Sequence, residues 1–344
     1  MNTNLQQIVQ PRQMMQKRQL MQKRQFMQKR QFMQSAAALL AGLAGIPSAL
    51  AQQVLKLVVG FPPGGSGDTF ARMIAEQLRG ELGNIVVENR DGAGGLIAAE
   101  AFLRAPADGY TAMMHTASSA VFAPVIRKKP PYDPLKDFQW VALMSIAPLV
   151  IVANPKLPVT DLKTFMDYLR SKPGQPYGSA GIGASTHLAA ELLFDKAGVK
   201  LLHVPYKGSA PSLTDTMGGQ VTCMLETIQT TMRFHTAGTL KILAVLAETR
   251  NASAPDIPTA KEFGIDAVAS TYNLLALPVL APAERAAVIA RAIANAMKNP
   301  EFQKKLLSQG LQPVTDTSPE QAKAFVAAEV ARWTPVARKL NIEI

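Results

Sequence analysis

The side chains able to do covalent or metal chemistry are few and far apart. The four histidines (His115, His187, His203 and His235) fall at no metal-ligand spacing. Cys223 has no second cysteine to pair with, and its apolar setting, VTCML, reads as that of a buried small hydrophobe. Gly64-Gly65-Ser66-Gly67-Asp68 differs from a nucleophile elbow because Asp68 stands where the last glycine belongs. No catalytic set emerges, so neither enzyme activity, a metal nor a cofactor is expected.

The chain offers glycine-rich loops instead. VGFPPGGSGD (59–68) follows an apolar strand pattern and runs into a helical one. Pro62 and Pro63 stiffen the loop behind Phe61, and Gly64, Gly65 and Gly67 leave backbone N–H groups bare around Ser66. Asp68 can cap the following helix. A helix start carries partial positive charge and free donors, so it favours an anion. The lysine of a triphosphate loop and the G-x-G-x-x-G of a dinucleotide site are both missing. A carboxylate is the anion that fits, and a purely structural turn is the competing reading. A second loop, Gly181-Ile182-Gly183-Ala184-Ser185-Thr186-His187, has the same grammar. Ser185 and Thr186 can cap its helix or bind a ligand; His187 reads as a first-turn helix residue rather than a catalyst.

The elements around these loops alternate. Strand-like runs at 55–60, 84–89, 110–115, 176–179, 201–206, 220–225 and 240–247 are separated by helical patterns, which implies a mostly parallel sheet. Prolines open three C-terminal helices, over 282–297, 300–309 and 319–340. Segments 148–155 and 271–280 read as long strands crossing between two α/β units. The fold class is therefore α/β, with two doubly wound domains joined by two hinge strands and a ligand cleft between them. Domain 1 would comprise 52–151 plus 278–344, and domain 2 would comprise 152–277. The two glycine loops would then grip one small anion from opposite sides.

The net charge of +11 over 344 residues suggests a nucleic-acid partner at first sight. Residues 1–51, however, hold seven of the basic side chains and no acid, which leaves 29 basic against 25 acidic groups in the body. No basic stripe with interleaved aromatics remains, so no nucleic acid is expected. The first 51 residues read as an export signal: basic MQKRQF repeats, the apolar run SAAALLAGLAGI, and a small-residue cleavage site at Ala49-Leu50-Ala51. A periplasmic location follows from that signal.

At this point the residues resemble a family, the substrate-binding receptors of tripartite tricarboxylate transporters, also called Bug-type receptors. The shared runs are VVGFPPGGSGD, VVENRDGAGG, RAPADGYT, KKPPYDPLKDF, LVIVANPKLPV, YGSAGIGASTHLAAELL, HVPYKGSAPSLTD, GGQV and PDIPTAKEFG. The resemblance implies a type II periplasmic-binding-protein-like fold, monomeric, that closes on a small carboxylate and delivers it to membrane subunits of the transporter. It implies ligand contacts, partly through water, from the loops at 61–68 and 181–187. By motif it adds Thr116 and Ser118 after the strand at 110–115, then Tyr206, Lys207 and Gly208 in VPYKG, and Tyr272 and Asn273 on the returning hinge strand. Lys207 would either pair with a second carboxylate or be a surface lysine. Glu226-Thr227 departs from the Asp-Asn pair usual in such receptors. An acid there would repel a second carboxylate, or accept an ammonium, or face solvent or cap a helix. A periplasmic sensor is the alternative function, and an enzyme acting on a carboxylated substrate a more distant one.

Overall fold

The computed structural model describes residues 54–340, together with Met21 and Ile342. The export signal expected over 1–51, with its repeats and cleavage site, lies outside the described residues save for Met21. Among the described residues no helix is long and apolar enough to cross a membrane.

The chain opens with β1 (Leu55–Val59), α1 (Ser66–Leu82), β2 (Ile85–Asn89), α2 (Leu96–Phe102) and β3 (Thr111–His115). Helix α1 forms as its spacing predicts: Phe70, Met73, Ile74, Leu78 and Leu82 are buried, and Gly83, at φ 75°, ends it. β1 pairs in parallel with β2 on one side and β3 on the other. The long β4 (Phe138–Ala153) follows, then α3 (Leu162–Ser171), β5 (Pro176–Ser179), α4 (Ser185–Ala197), β6 (Leu202–Pro205), α5 (Ser209–Gly218), β7 (Cys223–Thr227), α6 (Ile228–Thr236) and β8 (Lys241–Val245). β5 pairs in parallel with β6 and β7, a second parallel set. The chain returns through β9 (Ser270–Pro278) to α7 (Ala283–Lys298), α8 (Pro300–Ser308), β10 (Gln312–Pro313) and α9 (Pro319–Lys339).

The two parallel sets belong to one mixed α/β sheet, with strand order β2-β1-β3-β9-β4-β7-β5-β6. β4 and β9 run antiparallel to each other from Phe138↔Pro278 to Pro148↔Ser270. Beyond Pro148, β4 continues into the second half, where Leu149–Ala153 pair with β7. The domain boundaries read from the sequence fall inside these two strands. Residues 54–340 pack as one compact unit, and the largest apolar core runs through both halves, from Val58 and Phe122 to Leu188, Leu225 and Trp333. Within it the Phe122 and Trp333 rings meet edge-on, 4.7 Å apart, and hold α9 against the first half.

Two strands differ from the sequence reading. β4 begins ten residues earlier than expected, because register shifts at Trp140/Ala142 and Leu143/Ser145 break the period-two alternation that would have revealed it. β7 runs on through Thr227, so Glu226 and Thr227 finish a strand instead of lying in a loop.

Candidate functional site

A cavity of about 120 Å³ opens between the halves. Phe61, Pro63, Gly65, Ser66, Thr116 and Ser118 line one side. Ser185, Thr186, Lys207, Glu226 and Thr227 line the other. Four helix starts converge on it: Ser66 begins α1, Ser185 begins α4, Ser209 begins α5, and Thr227 precedes α6. None of the four N-cap residues bonds a first-turn N–H through its own side chain, although the Ser185 N–H of α4 is taken by Ser118 Oγ. Uncapped starts leave donors and partial positive charge directed at whatever fills the cavity. Away from the cavity, Asp161, Asn299 and Ser318 cap α3, α8 and α9 in the ordinary way.

Both glycine loops are braced from behind, by different chemistry. Asp68 does not cap α1. It lies in the first turn, buried, and its Oδ2 accepts the Gly64 N–H at 2.9 Å. Arg72 Nε donates to the same oxygen at 3.0 Å, and Asn89 Nδ2 donates both to Asp68 Oδ1 (2.8 Å) and to the Phe61 carbonyl (2.9 Å). Burial alone would raise the Asp68 carboxyl, but the bonds from Arg72, Gly64 and Asn89 hold it below its usual value.

The second loop is held by uncharged groups. His187 Nδ1 accepts the Gly183 N–H at 3.3 Å, and its ring stacks on His203 with centroids 4.0 Å apart. His203 Nε2 lies 2.6 Å from Ser179 Oγ, which accepts the Gly181 N–H at 3.1 Å. Thr186 Oγ1 accepts the Ala180 N–H at 2.9 Å. Burial, then the neighbouring His203, lowers His187 to about 3, and burial lowers His203 to about 4. The imidazoles are therefore neutral at physiological pH, as the accepted Gly183 N–H requires. The Ser179–His203 contact has the shape of a nucleophile–base pair, but the hydroxyl is fully buried, serves the loop, and is not part of the cavity wall.

The halves meet at the cavity rim. The Ser185 N–H donates to Ser118 Oγ at 2.9 Å, across 67 residues of sequence. Gly94, at φ 67°, lies so close to the second loop that a Cβ would sit 3.2 Å from Ala184 N and Gly183 C. Gly208, at φ 99°, faces Pro62 with only 3.1 Å for a Cβ. Only glycine fits both the positive φ and the close approach at these points.

Several residues expected at the site lie off the wall. Gly64, Asp68, Gly181, Gly183, Ala184, His187 and Gly208 shape or brace the loops behind it. The Tyr206 hydroxyl turns away to Asp215 Oδ2 at 2.7 Å. Tyr272 is fully buried against Phe325, ring to ring at 4.8 Å. Successive strand residues face opposite ways, and it is Thr271 of β9 that reaches the cavity. Asn273 donates across the strand pair to Ser145 Oγ at 2.9 Å.

The sequence reading also missed Pro62, Gly67, Leu149, Ala180, Ser209, Ala210 and Pro211 on the wall. The signal for the last three was present: Gly208-Ser209-Ala210-Pro211 is a glycine followed by a helix start, as in the other two loops. Cys223 is buried and burial pushes its thiol up, which fits a core position. Among the described residues no group of His, Cys, Asp and Glu could hold a metal ion.

Helix starts from two α/β halves around one cleft have the layout of a solute-binding protein. The chain belongs to the tripartite tricarboxylate transporter family receptors, whose model matches residues 70–342. It is 34% identical over 295 residues to the protein BugT of Bordetella pertussis, covering 84% of this chain and 90% of that one. The solved periplasmic binding protein BugD matches with a TM-score of 0.81 at 32% identity, over 84% of this chain and 98% of that one. MatC of Rhodopseudomonas palustris, solved with bound malate, matches with a TM-score of 0.79 at 29% identity, over 83% of this chain and 98% of that one.

Proposed function

We propose that the protein is a periplasmic solute receptor that captures a short carboxylate and hands it to the membrane subunits of a tripartite tricarboxylate-type transporter. The observation that carries this reading is the pairing of α1 and α4, whose uncapped starts face one cavity from opposite halves. Neither half alone surrounds an anion. A carboxylate between them links the halves and favours the closed form by its differential affinity for it. The Ser118–Ser185 bond closes the same contact. The malate bound by MatC supports a ligand of this chemistry. The cavity supports a short one, since a void of about 150 Å³ accommodates benzene. The export signal read in residues 1–51 and the periplasmic relatives support the location. A cavity lined within one chain supports monomeric action.

A thermal-shift screen of the purified protein against short mono-, di- and tricarboxylates tests the reading. A ligand that binds only the folded form at about 100 times its Kd raises stability by about 2.7 kcal/mol, a shift of several degrees. Gly65→Val places a branched side chain on the cavity wall and should abolish that shift while leaving the protein folded. A shift that survives Gly65→Val would remove the α1 start from the site.

A further inference from the structure

Glu226 and Lys207 are the acidic and basic side chains on the cavity wall, and they are placed differently. Lys207 is exposed at the rim. Glu226 is 2% exposed, fixed on β7 opposite Val150 and immediately before the start of α6. Its Oε1 accepts the Thr227 N–H at 2.9 Å and the Thr227 hydroxyl at 3.2 Å. The protein's own carboxylate thus occupies donors beside a helix start, a place an external anion would otherwise favour. Beyond Thr227 only the Ser209 hydroxyl acts on this carboxyl, and its other oxygen, Oε2, is buried without a partner at hydrogen-bond geometry. Burial raises this carboxyl above its usual value, with Ser209 and Thr227 pulling it back down. Across the cavity, Thr116 Oγ1 is likewise buried and unpartnered.

Buried polar atoms are almost always paired, so two orphans on one cavity wall point to a ligand that completes them. Ionised, the orphan can only accept, and a buried negative charge calls for a cation; neutral, it would donate to a ligand carboxylate instead, and the matched acids below separate the two. A second ligand carboxylate beside Glu226 would add repulsion instead. We propose that Glu226 forms a subsite for a ligand ammonium, so that the solute is a short amino acid whose carboxylate lies at the α1 and α4 starts. This rests on the carboxylate reading above and narrows it. Lys207 and Glu226 then balance a zwitterion, charge for charge.

The test is calorimetry with matched acids that differ only by the α-amino group: alanine against propionate, aspartate against succinate, glutamate against glutarate. The wild-type protein should bind the amino member of at least one pair more tightly, by at least roughly tenfold. Glu226→Gln should erase that preference by weakening the amino member and leaving the amino-free member equal or tighter. Gln keeps an oxygen for Thr227, and a melt without ligand checks that the variant folds; the wild-type preference is informative even if it does not. Tighter wild-type binding of the amino-free members overturns the Glu226 subsite and leaves the carboxylate reading standing. So does a preference that Glu226→Gln leaves intact. Binding of no acid from either set overturns both.

Discussion

The two glycine loops beside the cavity are braced by opposite chemistry. The loop before α1 is pinned by a buried carboxylate, an arginine and an amide: Asp68, Arg72 and Asn89. The loop before α4 is pinned by stacked neutral imidazoles and a serine: His187, His203 and Ser179. Both braces hold a backbone N–H at neutral pH, the ionised one through the shorter, charge-assisted bond. They differ in what a proton does to them.

That difference sets the largest expected effect. The folded state excludes protons from His187 and His203, whose values fall to about 3 and about 4 from the ordinary 6.5. Their contribution is complete above about 6.5 and is lost as pH falls towards those values, at up to about 1.4 kcal/mol per histidine per pH unit. Asp68 runs in a lower window. Its value is depressed below 3.8, so its brace persists until the pH falls beneath that. Lowering the pH from about 7.5 to about 5 should therefore cost about 2–4 kcal/mol in stability. Hydrogen-exchange protection, taken relative to the intrinsic rate at each pH, should fall in residues 179–187 before it falls in 61–68. Equal loosening of both loops would break the comparison.

Asp68→Ala comes next. It leaves the Gly64 N–H and the Asn89 amide without their partner and removes the charge Arg72 neutralises. Arg72 is half-exposed, so the loss should be about 2–3 kcal/mol, at the lower end for a broken buried pair. Denaturant titration measures it, and carboxylate affinity should fall with it. The smallest effect sharpens the other side. Ser179→Ala frees the Gly181 N–H and the His203 contact, for about 1–2 kcal/mol. That loss should be constant above about pH 5, where His203 is neutral in the folded protein, and should change below it as His203 takes a proton. A loss that stays constant down to about pH 4 would separate Ser179 from the histidine pair.

The helix starts extend the lesson. Asp161, Asn299 and Ser318 satisfy their own helices away from the cavity, whereas the N-cap residues of the four starts around it bond no first-turn N–H, as is also true of α2 and α7; at two of the four, the Ser185 and Thr227 N–H groups are taken by Ser118 and Glu226. A cap at Gly65 or Ala184 would stabilise a helix by about 1 kcal/mol and would fill the site with the protein's own oxygen. Beside the start of α6 that has happened, since Glu226 supplies the oxygen. It is this position that separates the chemistry expected at one end of the cavity from that at the other.

Much of this was legible in the residues alone. The parallel α/β character, the two crossing strands and both glycine loops follow from local signals: apolar runs of strand length, helical spacing, and glycines that bare the backbone before a helix. Those signals act within a few residues and survive without the rest of the chain. The braces did not show. His187 and His203 stand 16 residues apart in sequence, and only the parallel pairing of β5 with β6, together with α4 packed beside them, stacks their rings. Tyr272 has the composition of a cleft residue, yet strand pleat and register turn it into the core and bring Thr271 to the wall. The burial of Glu226 likewise depends on β7 continuing two residues further than its apolar run. Sequence determined which segments come to the cavity, because backbone preference is local. Tertiary structure decided which side chains face the cavity and which hold the loops, because facing and burial are set by partners distant in the chain.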